Sequence, residues 1–244
     1  RVRLDGSASL TSVEGRQILA SRPLLGARRV YRLPTLCRGI RRSSSARLVA
    51  RASSSTAALE RALELENISE SGRYAAYVRL GTLLLNLEEP DCERALEIFE
   101  QAMALRPQED LVKNNLAYAI LKCGRDLNKA LELSLTAVEF RPASASFRDT
   151  LGGIYFAIAE SLDESDPERL EYLRAAEQEF RIVLKISPRN LDYRIRIADV
   201  FLSLGKCGDA RTALKMAGDA GPTPKQQDVI DALTLKLADC ERDR

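Results

Sequence analysis

Four prolines set the period of this chain. Pro107, Pro142, Pro188 and Pro222 stand 35, 46 and 34 residues apart. Twelve residues before each lies an alanine: Ala95, Ala130, Ala176 and Ala210. Eight before lie Phe99, Ser134, Phe180 and Leu214, and five before lie Ala102, Ala137, Val183 and Ala217. A chain that repeats its small and large residues at such a period makes one supersecondary unit several times, and each unit buries its apolar face only against its neighbours. From Ala57 onward apolar residues also recur at i, i+3, i+4 and i+7, beginning with "AALERALELE". That spacing places them on one side of a helix. The expectation is an all-α chain of repeated helical units.

The first helix of each unit carries its own signature: "LGTLL" from Leu80, "LAYAI" from Leu116, "LGGIY" from Leu151 and "IADVF" from Ile197. Together with the alanine, aromatic and proline registers, this resembles the tetratricopeptide repeat, a 34-residue helix–turn–helix unit. The resemblance covers about residues 73–222 as four repeats, after a lead-in helix over 56–72 and before a capping helix and tail over 223–244. It implies a right-handed superhelical solenoid of antiparallel helix pairs. It departs from the family at the position usually held by Trp or Tyr, which carries Tyr77, Lys113, Arg148 and Arg194, and at Ser134, where an aromatic is usual. In this family, position 8 of the first helix meets the second helix so closely that only Gly, Ala or Ser fits. Gly81, Ala117, Gly152 and Ala198 hold it here. The doubled glycine "GG" at 152–153 is thereby explained as packing at Gly152, while Gly153, at position 9, is expected to leave a dent in the inner groove.

The resemblance also implies where a partner would lie. Family groove positions map onto Thr82, Leu85 and Asn86; onto Asn114, Asn115, Tyr118, Leu121 and Lys122; onto Asp149, Gly153, Phe156 and Ala157; and onto Arg196, Asp199 and Leu202. Asn114 and Asn115 are the leading candidates, because a side-chain amide donates and accepts together and so matches a peptide backbone. Of the family's carboxylate-clamp positions, here Val78, Thr82, Asn115, Ser146 and Thr150, only Asn115 agrees, which argues against a clamp for C-terminal tails.

Composition narrows the chemistry. Histidine is absent from all 244 residues, which removes Ser-His-Asp and Cys-His catalysis and the commonest metal ligand. Neither GxGxxG nor GxxxxGK[ST] occurs, and no metal, cofactor or catalytic residue is expected. Cys37, Cys92, Cys123, Cys207 and Cys240 form no CxxC pair, and their odd number reads as free thiols packed as small apolar groups in a reducing compartment. No 18-residue uncharged apolar stretch exists, so no membrane span is expected. The third repeat holds about 12 extra residues near "ESLDESDPERLEYL", where Asp166-Pro167 opens a helix. The expected result is two lengthened helices around an acidic loop. Thr223 and Gln226 form a capping box for the last helix.

Residues 1–55 are different material. They hold 12 arginines against Asp5 and Glu14, a net charge of +10, while the remainder carries 25 bases against 33 acids, a net of −8. Segments such as "GIRRSSSARLVARASSS" are Arg- and Ser-rich and acid-poor, as organellar transit peptides are. A linker from an upstream domain and a basic arm for RNA share that composition. Tyr31 is its sole aromatic, which counts against base stacking and specific RNA recognition. The reading is a non-catalytic, soluble intracellular scaffold binding another protein in its groove, cytoplasmic, or plastid or mitochondrial if 1–55 is a transit peptide. Its rivals are a substrate-recruiting part of a larger enzyme or signalling protein, and a nucleic-acid factor using the arm.

Overall fold

The structure, a computed structural model, describes residues 55–242, so the basic segment and its proposed roles lie outside the described residues. A short helix α1 spans 55–63. Then follow α2 (Glu70–Leu85), α3 (Cys92–Leu105), α4 (Asp110–Lys122), α5 (Leu127–Phe140), α6 (Ala145–Ser161), α7 (Pro167–Ile186), α8 (Leu191–Ser203), α9 (Cys207–Gly218) and α10 (Pro224–Arg242). The described chain is helix and connecting turns, without strands. The lead-in helix closes at 63, and Ser69 then caps α2.

Local chemistry sets these boundaries. Ser69, Asp91, Asp126, Ser144, Asp166 and Asn190 each accept a backbone N–H of the following first turn, satisfying donors that have no partner inside the helix. Thr223 and Gln226 cap α10 reciprocally. Helices α4 and α8 stop at Gly124 and Gly205, whose φ values of +60° and +67° suit glycine. There the Arg125 and Lys206 amides reach back to the Ile120 and Phe201 carbonyls at 3.1 and 2.8 Å.

Consecutive helices pair as α2/α3, α4/α5, α6/α7 and α8/α9, with α10 stacked on the last pair. The first helices of successive pairs also pack closely on one another, whereas the second helices stand farther apart and meet through side chains such as Lys129 and Glu100 at 2.8 Å. The row α2–α4–α6–α8–α10 is therefore the inner side of a bend, and α3, α5, α7 and α9 form the outer side.

Within each pair, position 8 and the facing residue of the second helix are matched in size. A Cβ on Gly81 would lie 2.8 Å from two ring atoms of Phe99, and one on Gly152 would lie 3.2 Å from Phe180 and 3.3 Å from Glu179. Where position 8 is Ala117 or Ala198, the residue at the register of those phenylalanines is Ser134 or Leu214, both buried. The phenylalanines are about 1% exposed, and burying each contributes about 1.5–3 kcal/mol.

The cations at the family's aromatic position tie the same parts together by other means. Arg148 donates to the Pro142 carbonyl and Arg194 to the Pro188 carbonyl. Each also reaches its own second helix, Arg148 at Glu179 (2.7 Å) and Arg194 at the Met216 sulfur (3.3 Å), while Lys113 lies 5.6 Å over the Phe140 ring. The inserted residues lengthen α6 to 17 and α7 to 20 residues, as expected. Between the third and fourth pairs, buried Glu177 accepts from Lys206 at 2.6 Å and Arg181 at 2.8 Å. Burial opposes its ionisation, but these two partners outweigh it and hold the carboxyl below its usual range.

The cysteines correct the sequence reading. Cys92 pairs with Cys123 and Cys207 with Cys240 as disulfides. Each bond joins the first residue of a second helix (α3 or α9) to the C-terminal end of the following inner helix (α4 or α10). Four of the five cysteines are thus staples between units, and the inference to a reducing compartment loses its premise. The same register in the second and third pairs is held by Leu127 and Leu173, which is why these cysteines look like apolar packers.

Gly81→Ala gains about 1 kcal/mol of helix propensity, but a methyl at 2.8 Å overpacks by about 1–3 kcal/mol. Thermal denaturation should show Gly81→Ala less stable than wild type. Gly152→Ala, at 3.2–3.3 Å, should be close to neutral. Equal and positive shifts for both would overturn the close-packing account.

Candidate functional site

Much of the inner row is joined by side chains, most of which sequence reasoning had assigned to a ligand. Lys122 of α4 donates to the Leu85 carbonyl of α2 at 2.5 Å. Burial lowers its pKa, and the positive charge of Lys225 adds to the effect. Arg196 of α8 reaches Asp149 of α6 at 3.4 Å, and Lys236 of α10 reaches Asp199 of α8 at 3.0 Å. These contacts join α2 to α4 and α6 to α8 to α10, and between α4 and α6 the tie is packing at Gly153 against Leu121.

Gly153 does not leave the expected dent. A Cβ there would sit 3.0 Å from the Leu121 side chain and 3.6 Å from the Arg196 guanidinium, so both neighbours fill the space. Its role is close approach between α4, α6 and α8.

Two groove assignments fail on burial. Leu85 is 2% exposed and part of the core, and Asn114 is 6% exposed with its Oδ1 buried and unpaired. Each shares a helical turn with a residue that does face outward, and one register step decides which. Thr82 and Asn86 are exposed, but their side chains donate to the Val78 and Thr82 carbonyls of their own helix. Asn115, Tyr118 and Phe156 remain half-exposed. Tyr118 and Phe156 rest one side on the core, and Asn115 has no hydrogen-bond partner among the described residues.

Asp149 is the unusual titrating group of this surface. Burial pushes its carboxyl above the ordinary range, with Arg196 opposing and Asp192 adding to the rise. Its Oδ1 is buried without a hydrogen bond, the Arg196 contact being an ion pair that lacks hydrogen-bond geometry. Tyr193 beside it is likewise raised, by burial first and then by the Asp149 charge.

A second feature lies at the far end. The lengthened third pair overhangs the fourth, and a cavity of about 750 Å³ opens between Glu164 and Arg169 on one side and Asp199, Ser203, Lys236 and the Cys207–Cys240 bond on the other. Arg169 pairs with Glu160 at 3.0 Å, so the acids and bases around the opening nearly balance. Sequence spacing exposed the insertion but not this cavity, since residues 160–169 and 199–240 meet only after the solenoid has stacked. No described helix is long and apolar enough to cross a membrane.

The sequence matches no family model and no curated protein. Among solved structures it is similar to TTC0263, a thermophilic TPR protein of Thermus thermophilus, at 28% identity with a TM-score of 0.60, covering 67% of this chain and 82% of that one. It also resembles MamA from Desulfovibrio magneticus RS-1 (20% identity, TM-score 0.50, 72% and 88% covered). A third likeness is YrrB, a TPR protein with an unusual peptide-binding site (19%, 0.51, 76% and 85%). The last two likenesses are of fold.

The direction of the Asp149 shift makes a testable statement. A carboxyl whose pKa is raised by folding destabilises the fold while ionised, and the cost vanishes as pH falls through its folded pKa. Asp149→Asn should therefore melt higher than wild type at pH 7.5, with the difference shrinking toward pH 4. A lower melting temperature across that range would mean that the Arg196 pair outweighs burial.

Proposed function

This chain is a tetratricopeptide-like helical repeat protein, and from that premise we propose that it is a non-catalytic scaffold whose inner face binds an extended segment of another protein. The observation that supports this most is the division of labour along the inner row. Its charged residues are largely spent on joining helices, while Asn115, Tyr118 and Phe156 stay half-exposed on α4 and α6. An amide flanked by aromatic surfaces suits a peptide: the amide meets backbone donors and acceptors, and the rings meet alternate apolar side chains. Arg196 and Lys236, whose side chains are 39% and 60% exposed, keep donors for acidic groups at one end of such a segment.

The test is selection of peptides from a random display library on the full chain, followed by titration against Asn115→Ala/Tyr118→Ala. Truncating an aromatic anchor typically costs about 2 kcal/mol or more. Selected peptides should bind the variant at least about tenfold more weakly while its helical signal at the assay temperature stays unchanged; a lower melting temperature is expected, because Tyr118 rests on the core. Equal binding by the two proteins would move the site off the inner face.

A further inference from the structure

The two disulfides occupy corresponding places in the solenoid but not corresponding chemical surroundings. We propose that Cys207–Cys240 is a thiol-exchange site: a thiol reductant attacks Cys240 Sγ from the cavity beneath the third pair, and opening the bond frees the terminal helix α10.

Chain entropy does not separate the two bonds, because they close loops of similar length, with sequence separations of 31 and 33. The electrostatics do. Cys207 is the first residue of α9, next to Lys206, and both a helix N-terminus and an adjacent cation favour a thiolate. Cys240 lies in the last turn of α10 between Asp239 and Glu241, which pair with Arg242 and Arg211, so there it is the C-terminal helix end that disfavours one. At this bond the two influences add, making Cys207 the leaving group and Cys240 the sulfur attacked. At the other bond they oppose. Cys92 begins α3 but sits between Asp91 and Glu93, while Cys123 follows the C-terminus of α4 but lies near Lys122 and Arg125.

Access picks the same sulfur. Of the two cysteines that line the cavity with Glu164, Arg169, Asp199 and Lys236, Cys207 is 3% exposed and Cys240 is half-exposed, so a reductant meets Cys240 first. Cys92 and Cys123 are both half-exposed, so the order in which the bonds open rests on the leaving group. The step balances as follows. An incoming thiolate bonds to Cys240 Sγ, the Cys240–Cys207 bond breaks, and its electron pair leaves on Cys207 Sγ. A second thiol of the reductant then displaces Cys240, so the reductant is oxidised to its disulfide and the protein gains two thiols.

What remains to hold α10 includes Ile230, Leu233 and Leu237 in the core, the Lys236–Asp199 and Arg211–Glu241 pairs, and the hydrogen bond that Gln226 donates to Asp192 at 2.6 Å. Since Lys236 is the last link of the inner row, redox state would govern whether that surface is complete at its C-terminal end.

The experiment takes the air-oxidised full chain through a time course with dithiothreitol, quenching with iodoacetamide for peptide mass spectrometry and following amide hydrogen exchange in parallel. Exchange is faster the lower the leaving thiol's pKa. Cys207 and Cys240 should be alkylated about tenfold sooner than Cys92 and Cys123. At that point exchange protection over 224–242 should fall at least about tenfold, while 70–140 stays protected. Limiting glutathione should leave its adduct on Cys240. The proposal is overturned by any of four results: no disulfide after oxidation, both bonds opening together or Cys92–Cys123 first, the adduct on Cys207, or 224–242 staying protected once both its thiols are alkylated.

Discussion

The close approach of the two helices inside each pair is the constraint on which the rest depends. A glycine at position 8 admits a phenylalanine ring from the second helix, and an alanine there faces a smaller or more flexible residue. This contact sets how near the second helix lies to the first, and so the angle at which the next unit must stack. Helix propensity argues against glycine in these places by about 1 kcal/mol each. Burial of an aromatic ring outweighs that cost, which is why the glycines persist inside helices.

Once the pairs are formed, the inner helices touch and their charged residues become structural. Asp149–Arg196 and Asp199–Lys236 cross from helix to helix, and Lys122 reaches the end of α2. An exposed ion pair of this kind contributes little by itself, but together they hold the face on which a partner would lie. The outer helices stand farther apart and meet through side-chain pairs such as Lys129–Glu100, while the inner ones pack directly, so bending of the solenoid is governed mainly from the inside. Disulfides add covalent links at both ends of the stack, where a unit has fewest neighbours.

Much of this was legible in the residues. The family resemblance added the position-8 packing, while the proline and alanine registers give the number of units and the helix order, because those depend on spacing along the chain. The capping residues Asp166 and Thr223 and the lengthened α6 and α7 were legible for the same reason. The arginines at 148 and 194 were seen as departures from a family pattern. Their use in binding the Pro142 and Pro188 carbonyls needed the turn geometry. Leu85 and Asn114 were misplaced because a groove position inferred from a family register is accurate to a helical face, and one residue of rotation turns a side chain by about 100°.

Local periodicity and small–large alternation thus determined by themselves that this chain is a helical solenoid, since each is a property of neighbours in sequence. Tertiary structure alone decided which polar residues stay free. Arg196 and Asp149 are 47 residues apart in sequence, and their pairing exists only because α6 and α8 lie side by side. The same holds for the cysteines. Nothing in a spacing of 31 or 33 residues distinguishes a packed thiol from a bond, and only the stacking of one unit's second helix on the next unit's inner helix brings the sulfurs together.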